Sequence, residues 1–316
     1  MTVALDASGG DNPEANIIGA TLAVSELDVN VILVGDTKTI ENGLKDYDDE
    51  RISIVHAPEV ITPNEKPTTA VRRKKNSSLA VGLRLVRDGM ADAFVSSGST
   101  GALLTGATFI IGRAEGVERP ALGVTIPNAS GQTFLIDCGA NVDATPLFLL
   151  GFAKMGADYV ARINKKKPTV GLINIGTEPE KGNALAKEAF SLLSQYKDGA
   201  FEFVGNIEAR DIPLGAADVA VCDAFVGNVI LKHTEGMAKG LMEILRKELT
   251  SDLRSKIGAG LAKPAFRRMR AKLDYDAIGG APFLGLKRLV VKAHGSSNAK
   301  AILGAIRQCC IFGGAV

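Results

Sequence analysis

The residues of this chain best suited to chemistry sit in short, glycine-rich segments that follow apolar runs. Leu289-Val290-Val291-Lys292-Ala293-His294-Gly295-Ser296-Ser297-Asn298 is the strongest of them. His294 ends the apolar run, and Gly295, Ser296 and Ser297 form a small loop before a helical pattern. Free N–H groups at a helix start favour phosphate. An imidazole can contact that phosphate or move protons near neutral pH; a purely structural histidine is the alternative. Cys222-Asp223-Ala224-Phe225-Val226-Gly227-Asn228 brings an amide, Asn228, to the end of another apolar run. It can polarise a carbonyl or cap a helix.

Three further segments have the same character. Asn174 to Asn183 carries Lys181, able to reach an anion above a sheet edge or simply to sit in solvent beside Glu178 and Glu180. Asp6-Ala7-Ser8-Gly9-Gly10-Asp11 allows close backbone approach through Gly9 and Gly10, with Asp6 to orient a donor; a plain tight turn is the alternative. Ser96-Ser97-Gly98-Ser99-Thr100-Gly101 opens a helix and suits phosphate or a cap. There is no Walker A spacing, no G-x-G-x-x-G after the first strand and no G-x-S-x-G. No His/Asp/Glu cluster has metal spacing, so neither metal nor cofactor is expected.

Elements that end where these segments begin must hold them. Short β-rich runs lie at Val3–Leu5, Val31–Val34, Ile52–Val55, Ala93–Val95, Leu122–Ile126, Thr133–Ile136, Thr169–Asn174, Phe203–Val204, Val219–Cys222 and Leu289–Val291. Helical patterns fall near residues 13–26, 76–90, 101–115, 146–163, 183–195 and 298–308. This alternation predicts an α/β fold with a mostly parallel sheet, whose ligands bind beyond the carboxyl ends of the strands. Only a turn separates Leu122–Ile126 from Thr133–Ile136, so that pair is a predicted hairpin and the sheet is mixed. With no linker in view, residues 1–316 form one expected domain.

One stretch differs. Met237, Leu241, Leu245, Leu249, Leu253, Ile257 and Leu261 recur every fourth residue, which predicts one long helix. Pro264 then suits the first position of a second helix. Residues 237–273 thus read as a projecting helical hairpin. Lys263, Arg267, Arg268, Arg270 and Lys272 make its second half basic. Such a face suits an acidic partner or an anionic membrane, or is merely solvated over a subunit contact.

Composition excludes several classes. The 316 residues are 46% hydrophobic and 23% charged, with net charge +2, only 5% aromatic residues and no Trp. Scarce aromatics argue against single-stranded nucleic acid. Cys138, Cys222, Cys309 and Cys310 fit neither a zinc site nor a disulfide framework, and read as core residues in a reducing compartment. With no signal peptide and no long apolar run, a cytoplasmic protein is expected.

At these residues the sequence resembles the bacterial phosphate acyltransferases of phospholipid synthesis. The matching blocks are Asp6–Asp11, Arg72–Ser78, Ser96–Gly101, Arg119–Pro127, Asp137–Asp143, Asn174–Asn183, Gly205–Asp211, Cys222–Val229, Gly279–Gly285 and Lys292–Lys300. The resemblance implies a three-layer α/β/α sandwich like that of isocitrate and isopropylmalate dehydrogenases and phosphotransacetylases. It implies transfer of a long-chain acyl group from acyl-[acyl carrier protein] to inorganic phosphate. It also implies a homodimer, peripheral contact with the inner face of the cell membrane, and a product passed to a glycerol-3-phosphate acyltransferase. Ser8, Asn12, Ser99, Ala209, Ala224 and Ile278 depart from the usual pattern.

On this reading Lys181, His294 and the Gly295–Ser297 N–H groups hold phosphate, and Asn228 donates to the developing oxyanion. Asp6, Gly9, Gly10, Ser99, Thr100, Gly101, Asn141 and Ser296 line the substrates. Three rivals remain: a phosphotransacetylase-like enzyme using acyl-CoA, a metal-dependent decarboxylating dehydrogenase, and a non-catalytic membrane scaffold.

Overall fold

The computed structural model describes residues 1–45, 47–273 and 279–313, without the side chains of 270–273. The departure at Ile278 and the side chains of Arg270 and Lys272 lie outside the described residues. The chain alternates strand and helix through β1 (Thr2–Asp6), α1 (Pro13–Glu26), β2 (Asn30–Gly35), α2 (Thr37–Leu44), β3 (Ile52–His56), α3 (Pro67–Arg73), α4 (Ser78–Arg87), β4 (Ala93–Ser96) and α5 (Thr100–Ile110). A hairpin of β5 (Ala121–Asn128) and β6 (Gly131–Ile136) follows. After it come α6 (Pro146–Asn164), β7 (Thr169–Asn174), α7 (Ala184–Gln195), β8 (Glu202–Glu208), β9 (Val219–Val221), α8 (Ala224–Leu249), α9 (Leu253–Leu273), β10 (Ala281–Leu284), β11 (Leu289–Lys292) and α10 (Ala299–Gly313).

All strands join one 11-stranded sheet in the order β3-β2-β1-β4-β11-β10-β5-β6-β9-β7-β8. The pairings β11–β10, β10–β5 and β5–β6 are antiparallel, and the others are parallel. Those three reversals have a consequence for the site: β6, β9 and β7 run opposite to β1, β4 and β11. Their carboxyl ends therefore leave by opposite edges of the sheet.

Helices cover both faces. Strand β1 is buried on both sides, with Val3, Ala4 and Leu5 wholly inaccessible, which is why it reads as an unbroken apolar run. On one face Val3, Leu5, Val95 and Val291 pack with α1 and α10; on the other Ala4 and Phe94 pack with α4 and α5. A third cluster joins Phe134 and Ile136 to Phe152 and Tyr159 of α6. Phe94, Phe134 and Phe152 are each 2% exposed or less, and burying one such ring contributes about 1.5–3 kcal/mol.

Three features of the sequence reading need correction. The strand β10 was not foreseen, because Gly279-Gly280 and Pro282 punctuate it. The short helices α2 and α3 are below the length at which periodicity is informative. The predicted long helix over 237–261 also breaks, at Thr250–Asp252, and Pro264 lies inside α9 rather than at its start. Asp252 makes the break, since its carboxylate accepts from the Ser255 N–H at 2.9 Å and starts a new helix. Pro264 removes the hydrogen bond to the Gly260 carbonyl, but Gly260 is exposed and water can take its place.

Candidate active site

The ends of three adjacent strands, β1, β4 and β11, meet in one buried polar cluster. Asp6 Oδ2 accepts from Ser96 Oγ at 2.7 Å, and Ser97 Oγ donates to the Gly9 carbonyl at 2.9 Å. The Asp11 N–H donates to the Gly295 carbonyl at 2.8 Å, tying the first loop to the last. Glycine is required at two points. A Cβ on Gly9 would stand 2.7 Å from Asp6 Oδ2, and Gly10, at φ +77°, would meet Ser97 Oγ at 2.6 Å. Asp6, Gly9 and Gly10 thus build the floor rather than the lining.

Lys292, the last residue of β11, reaches back across this cluster. Its Nζ donates to the carbonyls of Ser97, at 3.2 Å, and Ala293. It is 9% exposed, and burial pulls its ammonium down to about 8, partly offset by Asp6. Burial likewise raises the Asp6 carboxyl, against hydrogen bonds from Ser78, Ser96, Ser8 and Gly9.

Beyond Lys292 the chain forms one end of a groove of about 770 Å³. His294 lines it, with Nδ1 2.8 Å from Ser296 Oγ and Nε2 3.4 Å from Lys232 Nζ. Ser297 also lines it. Its hydroxyl is buried and has no hydrogen-bond partner among the described residues, although a buried donor normally has one. Asn298 then caps α10, accepting from the Ala301 N–H at 3.0 Å. One end of the groove therefore holds an imidazole, two lysines, an unpaired hydroxyl and a helix start. That combination fits a phosphate-sized anion.

The other wall is α8. Asp223 caps it, accepting from the Val226 N–H at 2.8 Å, so capping is not the role of Asn228. Asn228 lies in the second turn, borders the groove and is exposed, and its amide has no partner among the described residues. Helix α8 starts where β9 ends and crosses the sheet toward the end of β11. Asn228 and His294 follow strands that leave by opposite edges, yet the helix brings them to one groove. Lys232, one turn on, pairs with Glu235 at 2.8 Å.

Gly227 fixes the height of α8: a Cβ there would stand 1.9 Å from the Asp137 carbonyl oxygen. The Asp137 carboxylate is itself inaccessible and organises the loop after β6. It accepts from the N–H groups of Leu122, Gly139, Ala140 and Asn141 at 2.8–3.1 Å. Burial outweighs these bonds and raises its carboxyl. The Asn141 amide donates to Asp137 Oδ2 at 2.7 Å and to the Pro120 carbonyl at 2.8 Å, so it holds this loop.

Of the residues expected from sequence, the groove thus gathers Thr100, Asn228, His294, Gly295 and Ser297. Ser99 caps α5 through the Ala102 N–H, Ser296 holds His294, and Gly101 packs on Pro67. Lys181 is not brought into the groove. It is exposed, follows β7 at the opposite sheet edge, and lies across Gly176. Of the departures, Ala224 borders this groove, and Ala209 borders a second, apolar groove on the other flank of α8. Lys263, Arg267 and Arg268 are exposed on α9, which contributes no described residue to either groove. Sequence reasoning missed Lys292, Lys232, Glu235 and Asp137. Two of them left a signal: Lys292 is a cation directly after Leu289-Val290-Val291, and Asp137 opens the matching block Asp137–Asp143.

Among the described residues no group of His, Cys, Asp or Glu could hold a metal ion, and no helix is long and apolar enough to cross a membrane. The family model described as fatty acid synthesis protein matches residues 1–314. A phosphate acyltransferase of Alkaliphilus oremlandii is 47% identical over 316 residues, spanning 99% of this chain and 93% of its own. One of Clostridium botulinum is 48% identical, spanning 98% and 93%. Among solved structures, the EutD phosphotransacetylase of Staphylococcus aureus superposes with TM-score 0.64 at 18% identity, covering 100% of this chain and 94% of its own. A 4-hydroxythreonine-4-phosphate dehydrogenase of Klebsiella pneumoniae does so at 0.56 and 11% identity, with 98% of each covered. At those identities the structures establish the shared fold.

Proposed function

The chain belongs to the fatty acid synthesis protein family of phosphate acyltransferases, and from that premise we propose that its donor is a long-chain acyl-[acyl carrier protein]. Acyl transfer to phosphate in fatty acid and phospholipid synthesis is the family's chemistry; the products here are acyl-phosphate and the free carrier. The observation that carries the reading is the buried, unpaired Ser297 hydroxyl beside His294, Lys292 and Lys232 at the start of α10. A dianion bound there satisfies the hydroxyl and offsets two ammonium groups.

In the reaction a phosphate oxygen attacks the thioester carbonyl carbon. The new C–O bond forms, the C–S bond breaks, and the electron pair leaves on sulfur. The proton of hydrogen phosphate ends on the free thiol. Lys292, Ser297 and His294 hold the nucleophile, and Asn228 donates to the carbonyl oxygen as it becomes an oxyanion. A donor in that position is typically worth about 10²–10³ in turnover. Orientation supplies much of the rest. No acyl-enzyme is needed, and the groove's Cys138 is a poor nucleophile because burial raises its thiol well above the ordinary value.

The same reading includes a homodimer, contact with the inner membrane face, and onward transfer of the product to a glycerol-3-phosphate acyltransferase. What supports the first two is the α8–α9 pair. It carries exposed Lys263, Arg267 and Arg268 beside Leu253, Ile257 and Leu261, which are 59–81% exposed.

The test is phosphate-dependent release of carrier thiol from palmitoyl-[acyl carrier protein], with acyl-phosphate trapped as hydroxamate. Asn228→Ala should lower turnover about 10²-fold or more. Ser297→Ala should raise the phosphate KM without loss of thermal stability, because it deletes a buried unsatisfied group. Wild-type protein that works only with acyl-CoA refutes the donor. Near-wild-type turnover in both Asn228→Ala and His294→Ala refutes the residue roles.

A further inference from the structure

Helix α8 has a groove on each flank. The second encloses about 450 Å³ between its first two turns and the starts of α6 and α7. Its walls are almost wholly aliphatic, with Leu149, Leu172, Leu185, Val226, Val229 and Ile230 among them. It also contains Asn174, Asn183 and Asp223, but each is already engaged. Asn174 donates to the Lys181 carbonyl at 3.1 Å and accepts from the Ile175 N–H at 2.8 Å. Asn183 caps α7 and Asp223 caps α8. The groove therefore offers a ligand mainly apolar contact, with its three polar side chains each holding a turn or a helix cap. Such a site suits a hydrocarbon and would penalise a polar group.

Phe225 borders both grooves, on the crest of α8, and is 64% exposed. Val142 on the first groove and Val229 and Ile175 on the second are 60%, 53% and 82% exposed. Together they form an apolar rim leading from one groove to the other. Beneath the helix at this point Gly227 is packed tightly against Asp137 and Cys138, so the rim over Phe225 is the open route between the grooves. The first groove must hold phosphate, the thioester and the donor's arm, and its far end is charged.

We propose that the second groove is the subsite for the distal acyl tail, which leaves the reaction centre, crosses Phe225 and lies against Val229 and Ile230. This rests on the reading of the chain as an acyltransferase with a long-chain donor. The groove then acts as the selector of chain length. Short acyl groups end before Phe225 and do not sense it, whereas long ones gain contact with every methylene they place there.

Filling the groove tests this. Val229→Trp and Ala186→Phe each put a bulky side chain into it, and turnover is compared with butyryl and palmitoyl donors on the carrier protein. The expected result is a fall in palmitoyl kcat/KM of roughly tenfold or more, with butyryl turnover unchanged as the internal control for folding. The chain has no other Trp, so Val229→Trp also serves as a single reporter. A hexadecanoyl chain brominated near its terminus, given as donor or as the free acid, should quench it. An equal effect on both donors together with no quenching overturns the proposal. So does a change of oligomeric state with the chain-length profile intact, which would make the groove a subunit contact. Absence of phosphate-dependent release with any donor refutes the functional reading instead, and quenching by the free acid still tests the groove.

Discussion

Lys292 carries a charge to a place where charge is costly, and the two signs that follow are opposite. Its ammonium is held at about 8 by burial, so it is charged below that pH and neutral above it. Inorganic phosphate passes from monoanion to dianion near neutral pH and stays dianionic above it, so Lys292 is the group that changes charge near 8. The phosphate KM should therefore rise as pH passes 8, while Lys292→Met should have a high KM that hardly varies. Steady-state kinetics from about pH 7.5 to 9.5, where phosphate is mainly the dianion, checks this, and a wild-type profile without a break near 8 removes Lys292 from the phosphate site. For stability the sign reverses. Between 8 and the unfolded value of about 10.4 the unfolded chain binds a proton that the folded one has shed, so this group's contribution to stability grows with pH. None of this was visible in Lys292 alone. Its burial comes from β4 and from Ser97, 195 residues away. His294 and Asn228 were legible because each follows an apolar run with a small loop. Lys181 has the same local signature and follows β7, which leaves by the same edge as β9, but Asn228 is carried to the groove on α8 and Lys181 is not.

Helix α8 is the element on which the candidate site most depends, because it brings Asn228 and Lys232 to the same groove as His294. Its position is set by Gly227, where a methyl group would overlap the Asp137 carbonyl. Gly227→Ala should lift the helix, cost about 1–3 kcal/mol of overpacking and reduce turnover, as Asn228 and Lys232 move together. Urea and thermal unfolding alongside the release assay check this, and unchanged stability would mean that α8 can shift freely. The strands were largely legible because buried parallel strands leave unbroken apolar runs, as in β1 and β7. Strand β10 was not, since its pairing with β5 and β11 comes from tertiary context that overrides Gly280 and Pro282. The same holds for Pro264. Proline in an apolar pattern reads as a helix start, but on an exposed helix the lost hydrogen bond passes to solvent and the helix continues.

Across the whole molecule charge is nearly balanced, at +2, so recognition of an acidic partner has to be local. Exposed charges further apart than about 8 Å are largely screened at physiological salt. The α8–α9 pair concentrates cations. Arg246, Lys247, Arg254, Lys256, Lys263, Arg267 and Arg268 face few acids, with Glu248 and Asp252 between them in sequence, and Asp252 is engaged in capping. Helix α9 also stands beside rather than within the first groove, since its described residues border neither groove. Changes there should alter encounter without altering chemistry. Arg267→Glu with Arg268→Glu should raise KM for the carrier-protein donor several-fold at low salt and leave kcat unchanged. The difference should fade at about 1 M salt, where screening reaches about 3 Å. Binding to vesicles rich in anionic lipid, measured by sedimentation, should fall in parallel if the same face meets the membrane. A loss of carrier binding alone assigns the face to the protein donor, and a loss of vesicle binding alone assigns it to the lipid surface. If neither changes, the exposed Leu253, Ile257 and Leu261 mark a contact between subunits and the basic residues are its solvated rim.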